Sequence, residues 1–301
     1  MDFGEPFWDE STYIPNLNEK IGRYTILSSL YSTRYALYYL CHDSLENDNK
    51  FIKFIKFTKE KINNIENEVK ITKEVDFPNI IKLSECFRHN AYVCLVFPYS
   101  HRQTLFDYIQ NQYPDGIPEK LASYFMKQML SAVGYLHNLH IWHRNIKPEN
   151  FFISDGDHPK ILLGNFEFAQ HFEKGEKGTK YLGTFEFMAP EIINQVPYDS
   201  SIDMWSLGIT LFVMLTGRFP FPRHSTSPQE FNQRVSKGLL NYDIINVQKV
   251  SSDAVDLIHQ MCKFNSTDRI TVHEALAHNW FVTNNTDDDS NKILTSSEEI
   301  V

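Results

Sequence analysis

The sequence predicts an α+β protein in which a small β-rich lobe precedes a larger, mainly helical lobe. Two patterns indicate this order. Short runs of β-forming residues fill the segment from Tyr24 to about Tyr99, and apolar residues at helical spacing dominate from Leu105 onward. The third observation is size, because 301 residues, 42% of them hydrophobic, can bury a sizeable core without disulfides.

The elements follow in order along the chain. The β-rich lobe is predicted to contain one helix, Glu60–Val75, whose apolar residues recur at helical spacing. The strand candidates are the runs YTILSSL, RYALYYL, KFIKFIKF, IIKLSECF and YVCLVFPY. Pro98 ends the last of these runs. In the second lobe, LASYFMKQMLSAVGYLHNL and SIDMWSLGITLFVMLTG are predicted to be long helices.

These patterns divide the chain into three parts. Residues 1–20 are predicted to be an N-terminal arm, and residues 282–301 an acidic, polar tail. The folded domain is expected over residues 21–281, with lobes at 21–98 and 103–281 and a hinge at 98–102.

Charge and composition exclude several classes of protein. Lys+Arg 29 against Asp+Glu 38 gives a net charge of −9, which disfavours binding to nucleic acid or to an anionic membrane. The four cysteines form no CxxC pair, so neither a disulfide framework nor a zinc site is indicated. The acidic start is unlike a signal peptide, and no apolar run reaches 18 residues. We therefore expect an intracellular protein, cytoplasmic with the nucleus not excluded.

Four ordered motifs carry a family resemblance. The segment 143–150 reads HRNIKPEN and resembles the protein-kinase catalytic loop HRDLKPEN. GTFEFMAPE at 183–191, DMWSLG at 203–208 and TDRIT at 267–271 resemble later kinase signatures, in the same order. The chain thus resembles the protein kinase family over about residues 21–281, which implies the two-lobed kinase fold.

A closer resemblance is to the calcium/calmodulin-dependent (CAMK) group of Ser/Thr kinases. It is carried by KFIK at 53–56, FPN at 77–79 and LFDY at 105–108. The tail, however, has five acidic residues against a single Lys292, whereas calmodulin-binding segments are basic and amphipathic. Calmodulin is therefore not expected as a partner.

The resemblance assigns roles to several polar residues. It implies that Lys53 contacts nucleotide phosphates and pairs with Glu68, with Lys56 as the alternative register. It implies that Asn150 is a metal ligand and that Lys147 neutralises the transferred phosphate. The competing interpretation of Lys53 and Glu68 is an exposed strand lysine and a solvated helix glutamate.

Two positions depart from the kinase pattern where the chemistry needs carboxylates. Asn145 replaces the catalytic base, and an amide cannot accept a proton at physiological pH. Asn165 replaces the metal-binding Asp of the DFG triplet. Glu167, in place of its Gly, is an alternative source of a carboxylate, but two positions further along the chain it is expected to point elsewhere. Arg144 precedes the altered base and is kept.

The nucleotide-contacting segments depart as well. The glycine-rich loop aligns with Ser28–Thr33, which contains no glycine, and Ser28 and Leu30 occupy the first two glycine positions. In the adenine slot the resemblance places Phe51, Tyr35 and Phe152 where smaller residues are usual. The other slot residues are Phe97 and Tyr99. We expect the aromatics to fill the slot; the alternative is that they only fill core space beside a usable pocket.

The scaffold motifs are kept. The resemblance implies that Asp203 accepts hydrogen bonds from the catalytic-loop backbone and that Glu191 and Arg269 form a buried ion pair. The activation segment, residues 168–188, offers hydroxyls at Thr179, Tyr181 and Thr184. These are either phosphorylation sites whose phosphate Arg144 would bind or ordinary loop residues.

The leading hypothesis is therefore a pseudokinase, a protein-interaction or allosteric module in signalling with little or no phosphotransferase activity. No cofactor is expected. The partner is a protein, with an active kinase as one candidate. The first alternative is a slow Ser/Thr kinase that uses ATP and Mg²⁺, and the second is a nucleotide sensor that binds ATP without metal.

Overall fold

A computed structural model describes residues 13–33, 36–57, 62–99, 103–154, 159–221, 233–247 and 250–284. The chain forms two compact units. The N-terminal unit comprises residues 1–76 and 81–100, and the C-terminal unit comprises residues 77–80 and 101–301. The predicted boundaries at 21, 98–102 and 281 stay predictions. Residues 100–102 of the predicted hinge lie outside the described residues.

The N-terminal unit is built on an antiparallel sheet with strand order β1-β2-β3-β4-β6-β5. Its elements are β1 (Lys20–Ile21), β2 (Tyr24–Ser32), β3 (Ala36–Asp43), β4 (Asp48–Lys56), α1 (Ile62–Glu74), β5 (Glu85–His89) and β6 (Tyr92–Pro98). The prediction of a strand over IIKLSECF is wrong in its first half, because β5 begins only at Glu85. Ile80 forms a bridge to Leu163 instead, so this run crosses from one unit to the other.

The register of the sheet decides which side chains share a face. The β3–β4 hairpin pairs Asp43 with Asp48, which places Tyr38 opposite Lys53. Because successive strand residues point to opposite faces, Tyr39 and Phe54 lie on the other side. There they join a buried apolar cluster, against which Tyr13 packs. Tyr92 Oη donates a hydrogen bond of 2.9 Å to the Tyr13 carbonyl, which ties the segment before β1 to the sheet.

Helix α1 begins at Ile62 and ends at Glu74, within the predicted range, whose first residues lie outside the described part of the chain. Its buried face includes Ile65, Glu68 and Thr72, at helical spacing. A charged residue on this face requires a partner, since burial of an unpaired charge is costly. Lys53 of β4 is that partner.

The C-terminal unit is mainly helical. Among its described residues the α-helices are α2 (Leu105–Gln112), α3 (Glu119–Asn138), α4 (Pro190–Ile193), α5 (Ser201–Thr216), α6 (Asp243–Val247), α7 (Ser252–Met261), α8 (Val272–Leu276) and α9 (Asn279–Thr283). Short antiparallel pairs join β7 (Ile141–Trp142) to β10 (Gln170–His171) and β8 (Phe151–Ile153) to β9 (Ile161–Leu163). Helix α5 is buried from Ile202 to Thr216, as expected for a helix that is apolar on all sides.

The end of the described chain is anchored to α3. Trp280 Nε1 of α9 donates a 2.9 Å hydrogen bond to Glu119 Oε2, and Ser251 Oγ donates to the same oxygen over 2.6 Å. Helix α9 ends at Thr283, so the first residues of the predicted tail are helical. Residues 285–301 lie outside the described residues. Among the described helices, none is long and apolar enough to cross a bilayer.

Candidate functional site

Lys53 and Glu68 form a buried ion pair in the N-terminal unit. Lys53 Nζ lies 2.5 Å from Glu68 Oε1, and the two residues are 3% and 4% exposed. The pairing follows from the sequence because β4 points Lys53 toward the face that α1 covers. Of the two lysines the sequence left open, Lys53 makes this pair, whereas Lys56 is half-buried at the end of β4. The contact of Lys53 with nucleotide phosphates remains a prediction.

The segment aligned with the glycine-rich loop is mostly strand. Ser28–Ser32 continue β2, and β2 shifts register against β3 between Ile26 and Ser28 and again between Ser29 and Tyr31. These two β-bulges leave Leu27 and Leu30 without a cross-strand partner in the ladder, and Leu30 is 37% exposed. Ser28 is half-buried. Tyr35, predicted for the adenine slot, lies outside the described residues.

Phe51 stacks on Phe97 within the N-terminal unit. The two residues face each other in the β4–β6 register, with ring centroids 5.0 Å apart and planes 21° from parallel. Both rings are buried. Phe152 belongs to the C-terminal unit, where it is half-buried and pairs with Leu162 in the β8–β9 ladder. The structure thus joins two of the predicted slot aromatics, and the role of each in nucleotide binding stays a prediction.

One aromatic residue beside Lys53 was missed by the sequence reasoning. The Tyr38 ring centroid lies 5.7 Å from Lys53 Nζ, and Tyr31 stacks on Tyr38 with centroids 4.2 Å apart. Tyr38 is 4% exposed. The signal was present in the hairpin itself, because a turn closed between Asp43 and Asp48 pairs residue 38 with residue 53.

In the C-terminal unit, Asp203 fixes the backbone of the catalytic-loop segment. Asp203 Oδ2 accepts from His143 N over 3.0 Å, and Oδ1 accepts from Arg144 N over 2.9 Å. His137 Nε2 lies 2.9 Å from Asp203 Oδ2. Burial alone would raise the pKa of Asp203, but the hydrogen bond with His137 and the bond from the Arg144 amide hold it below its usual value. The carboxylate therefore stays charged.

His143 is a buried, uncharged histidine. Burial lowers its pKa below the ordinary value, against the opposing influence of Asp203 and the Gly164 carbonyl. His143 Nε2 lies 3.1 Å from the Gly164 oxygen, so this nitrogen carries the proton and donates. The ring also packs edge-on against Phe166, with centroids 5.4 Å apart. Through these two contacts the loop is joined to the segment that contains Asn165.

Three asparagine side chains and one threonine form a hydrogen-bonded chain at the positions of the family's catalytic and metal-binding groups. Asn165 Nδ2 donates to Asn150 Oδ1 over 3.2 Å. Asn150 Nδ2 in turn donates to the Asn145 carbonyl over 2.7 Å, and Thr184 Oγ1 donates to Asn145 Oδ1 over 2.9 Å. Asn165 adopts a φ of 61°, a left-handed conformation that asparagine tolerates well. The structure therefore brings the three predicted positions together, as amides that bond to each other.

Arg144 is held by the activation segment. Its Nε donates to the Phe168 carbonyl over 2.7 Å, and its Nη2 donates to Gln170 Oε1 over 2.9 Å. The guanidinium also lies over the ring of Phe172, 5.3 Å from the centroid, and the residue is 7% exposed. Gln170 was not singled out from the sequence. Its side-chain oxygen accepts from the guanidinium of Arg144, which the family resemblance predicts would bind a phosphate.

The other predicted site residues are placed as follows. Arg269 Nη1 and Nη2 donate to the two Glu191 oxygens over 2.7 and 3.1 Å, a bidentate buried pair. Lys147 and Glu149 are half-buried at the short 3-10 turn Pro148–Asn150. Glu167 and Tyr99 are also half-buried. Of the activation-segment hydroxyls, those of Thr179 and Tyr181 belong to exposed residues.

Comparison with known proteins agrees with this arrangement of motifs. The protein kinase domain family (Pkinase) matches residues 24–281. The chain is similar to the serine/threonine-protein kinase SAPK3 of Oryza sativa subsp. indica and to that of subsp. japonica. Each is 30% identical over 264 residues, which cover 87% of this chain and 78% of the relative. With its β-rich N-terminal sheet and helical C-terminal part, this chain belongs to the protein kinase family.

Proposed function

We propose that this protein is a pseudokinase, a kinase-family module that acts through protein interactions with little or no phosphotransfer. The observation that carries the proposal is the hydrogen bond from Asn165 Nδ2 to Asn150 Oδ1. It uses the oxygen that would be a metal ligand, and it places an N–H donor where a cation needs an acceptor.

The chemistry of the site supports the same conclusion. Mg²⁺ prefers charged oxygen ligands, and amides at positions 150 and 165 supply no negative charge. A general base contributes about 10²–10⁴-fold to such a rate, and Asn145 cannot act as one. The Asn145 oxygen already accepts from Thr184. The family has a carboxylate at positions 145 and 165, whereas here both residues are amides, and Asn165 donates to the retained Asn150.

The intact scaffold supports an interaction role. Asp203 and the Arg269–Glu191 pair keep the C-terminal unit ordered. We propose a protein partner, with an active kinase as one candidate, in intracellular signalling. Nucleic acid, membranes and calmodulin are not proposed as partners, given the net charge of −9 and the acidic tail. The CAMK-like motifs make that group of kinases the proposed origin of the fold.

One observation favours a second candidate, a slow ATP-dependent Ser/Thr kinase. Lys53 and Glu68 are paired, and a kinase needs this ion pair to position phosphates. The same pair also neutralises a buried charge, so it is expected in a pseudokinase with an ordered α1 as well.

A phosphotransfer assay separates the two candidates. The full chain is incubated with radiolabelled ATP, Mg²⁺ or Mn²⁺ and a general protein substrate, beside Lys53→Ala and a preparation without protein. The pseudokinase predicts the same background in all three. Transfer by the wild-type chain that Lys53→Ala abolishes would establish the slow kinase instead.

A further inference from the structure

The ring of Tyr38 lies against the Lys53 ammonium inside the N-terminal unit. We propose that Tyr38, backed by Tyr31, is the residue that keeps nucleotide phosphates away from Lys53. The proposal rests on the proposed function and names the side chain that blocks access of a nucleotide to Lys53. It makes residue 38 the position that determines whether this lysine can bind ATP.

The first argument for the proposal is that other groups already surround the Lys53 ammonium. Its Nζ lies 2.5 Å from Glu68 Oε1 and 5.7 Å from the Tyr38 ring centroid, and the residue is 3% exposed. A phosphate oxygen would need to come within about 3 Å of this nitrogen. In kinases the paired glutamate leaves ammonium donors for phosphate, so the carboxylate does not exclude it. The Tyr38 ring flanks the same ammonium, and we infer that a phosphate would have to displace this ring.

The second step is that Tyr38 is not free to move aside. Its backbone is paired with that of Lys53 in the β3–β4 ladder, so its side chain leaves the sheet on the lysine's face. Tyr31 of β2 stacks on it at 4.2 Å, with planes 20° from parallel. The β-bulge at Leu30 sets the register in which Tyr31 meets Tyr38.

The stack of Phe51 on Phe97 extends the same closure along β4. Phe51 is two residues from Lys53, on the same face, and its ring is buried against Phe97. Aromatic side chains therefore occupy both the lysine end and the predicted adenine end of this strand. Tyr38 is the better test, because its ring contacts the lysine itself.

Removing the Tyr38 ring should let nucleotide phosphates reach the Lys53 ammonium. We would titrate ATP by calorimetry into the full-length wild type, Tyr38→Val and Tyr38→Val/Lys53→Met, with Mg²⁺ and then with EDTA. Valine keeps a strong strand former at position 38, and Tyr38→Leu serves as a second variant should Tyr38→Val not fold. We expect no heat from wild type up to millimolar ATP, at least tenfold tighter binding by Tyr38→Val, and loss of that gain in the double variant.

A matched control lies next to this residue. Tyr39→Val removes an equally buried tyrosine on the opposite face, where it packs edge-on to Phe54, and should bind no ATP. Folding of each variant is checked by its thermal unfolding without nucleotide.

Three outcomes would overturn the proposal. They are wild-type ATP binding that is lost in a Lys53→Met single variant titrated alongside, a folded Tyr38 variant that gains no binding, and an equal gain in Tyr39→Val. Wild-type binding that is indifferent to EDTA would point to a nucleotide sensor. In each of these cases the pseudokinase proposal survives as long as no phosphate is transferred, so the two proposals fail separately.

Discussion

Asn165 donates a hydrogen bond to Asn150 across 3.2 Å, amide to amide, at the two positions where kinases bind their metal. Both side chains come from the C-terminal unit, on either side of the β8–β9 hairpin. The bond depends on Asn165 being an amide, because an ionised carboxylate only accepts. We therefore expect the residue type at position 165 to decide between this internal bond and the binding of a cation.

The variant Asn165→Asp should lose the hydrogen bond to Asn150 and gain the ability to bind a divalent cation. Without metal, the variant loses the bond and sets a charge opposite an acceptor oxygen, so we expect the free energy of unfolding to fall by about 1 kcal/mol. Added Mg²⁺ or Mn²⁺ should then raise the thermal midpoint of the variant and leave that of the wild type unchanged.

Asn194→Asp is the matched control, since its exposed amide donates to the Ser236 carbonyl, away from the three asparagines. It should show no metal dependence. If metal stabilises the wild type as much as Asn165→Asp, the amide bond does not exclude the cation.

Gln170→Ala should loosen the activation segment. The change leaves one donor of the buried Arg144 guanidinium without its acceptor, at an expected cost of about 1–3 kcal/mol in the free energy of unfolding. Urea unfolding measures that cost, and limited proteolysis should show faster cleavage within residues 173–181.

Thr179→Ala/Tyr181→Phe is the control for phosphorylation. These exposed hydroxyls do not carry the anchoring of Arg144, so the double variant should match the wild type in both measurements. A phosphate-dependent segment would instead become protease-sensitive in the double variant and leave Gln170→Ala unaffected.

The pH dependence of stability should report the uncharged state of His143. Burial lowers its pKa in the folded protein, whereas the unfolded chain takes up this proton near pH 6.5. Below that pH the unfolded state binds more protons, so the free energy of unfolding falls as the pH decreases toward the lowered folded pKa. Asp203, Arg144 and His137 are the charged or titratable groups whose influence enters this pKa.

His143→Gln cannot titrate and should reduce the slope by up to about 1.4 kcal/mol per pH unit between pH 6.5 and the lowered folded pKa. Urea unfolding at several pH values from about 7 to 5 measures the slope. His273→Gln, at an exposed helix position, should keep the wild-type slope. Equal slopes for wild type and His143→Gln would show that folding does not lower the pKa of His143.

The fold was predictable because its signals are local. The alternation of apolar residues predicted the strands, and the helical spacing of apolar residues predicted α1. The pairing of Lys53 with Glu68 follows because one lies on a strand and the other on the helix that comes after it. The strand predicted from Ile80 onward was wrong in its first half because the chain passes there from one unit to the other, between residues 80 and 81. Apolar composition cannot show such a change of unit.

The site was predictable at the level of residue types and less so at the level of contacts. The three asparagines were identified, but no local pattern shows that Asn165 bonds to Asn150 or that Thr184 bonds to Asn145. These pairs are 15 and 39 residues apart and come together only on folding. Gln170 escaped notice for the same reason. Tyr38 was within reach, since the hairpin turn alone sets its position opposite Lys53.

Tyr13 has a consequence for how much of the chain makes up the smallest folding unit. Together with Phe87, Tyr13 packs against the apolar cluster on one face of the sheet. Its ring lies beside those of Tyr92 and His89, with centroids 6.2 and 5.4 Å apart. A chain shortened to the first strand would leave those rings open to water and lose the bond from Tyr92 to the Tyr13 carbonyl. We therefore expect the shortest stably folded chain to start at or before Tyr13, upstream of residue 24, where the match to the protein kinase domain begins.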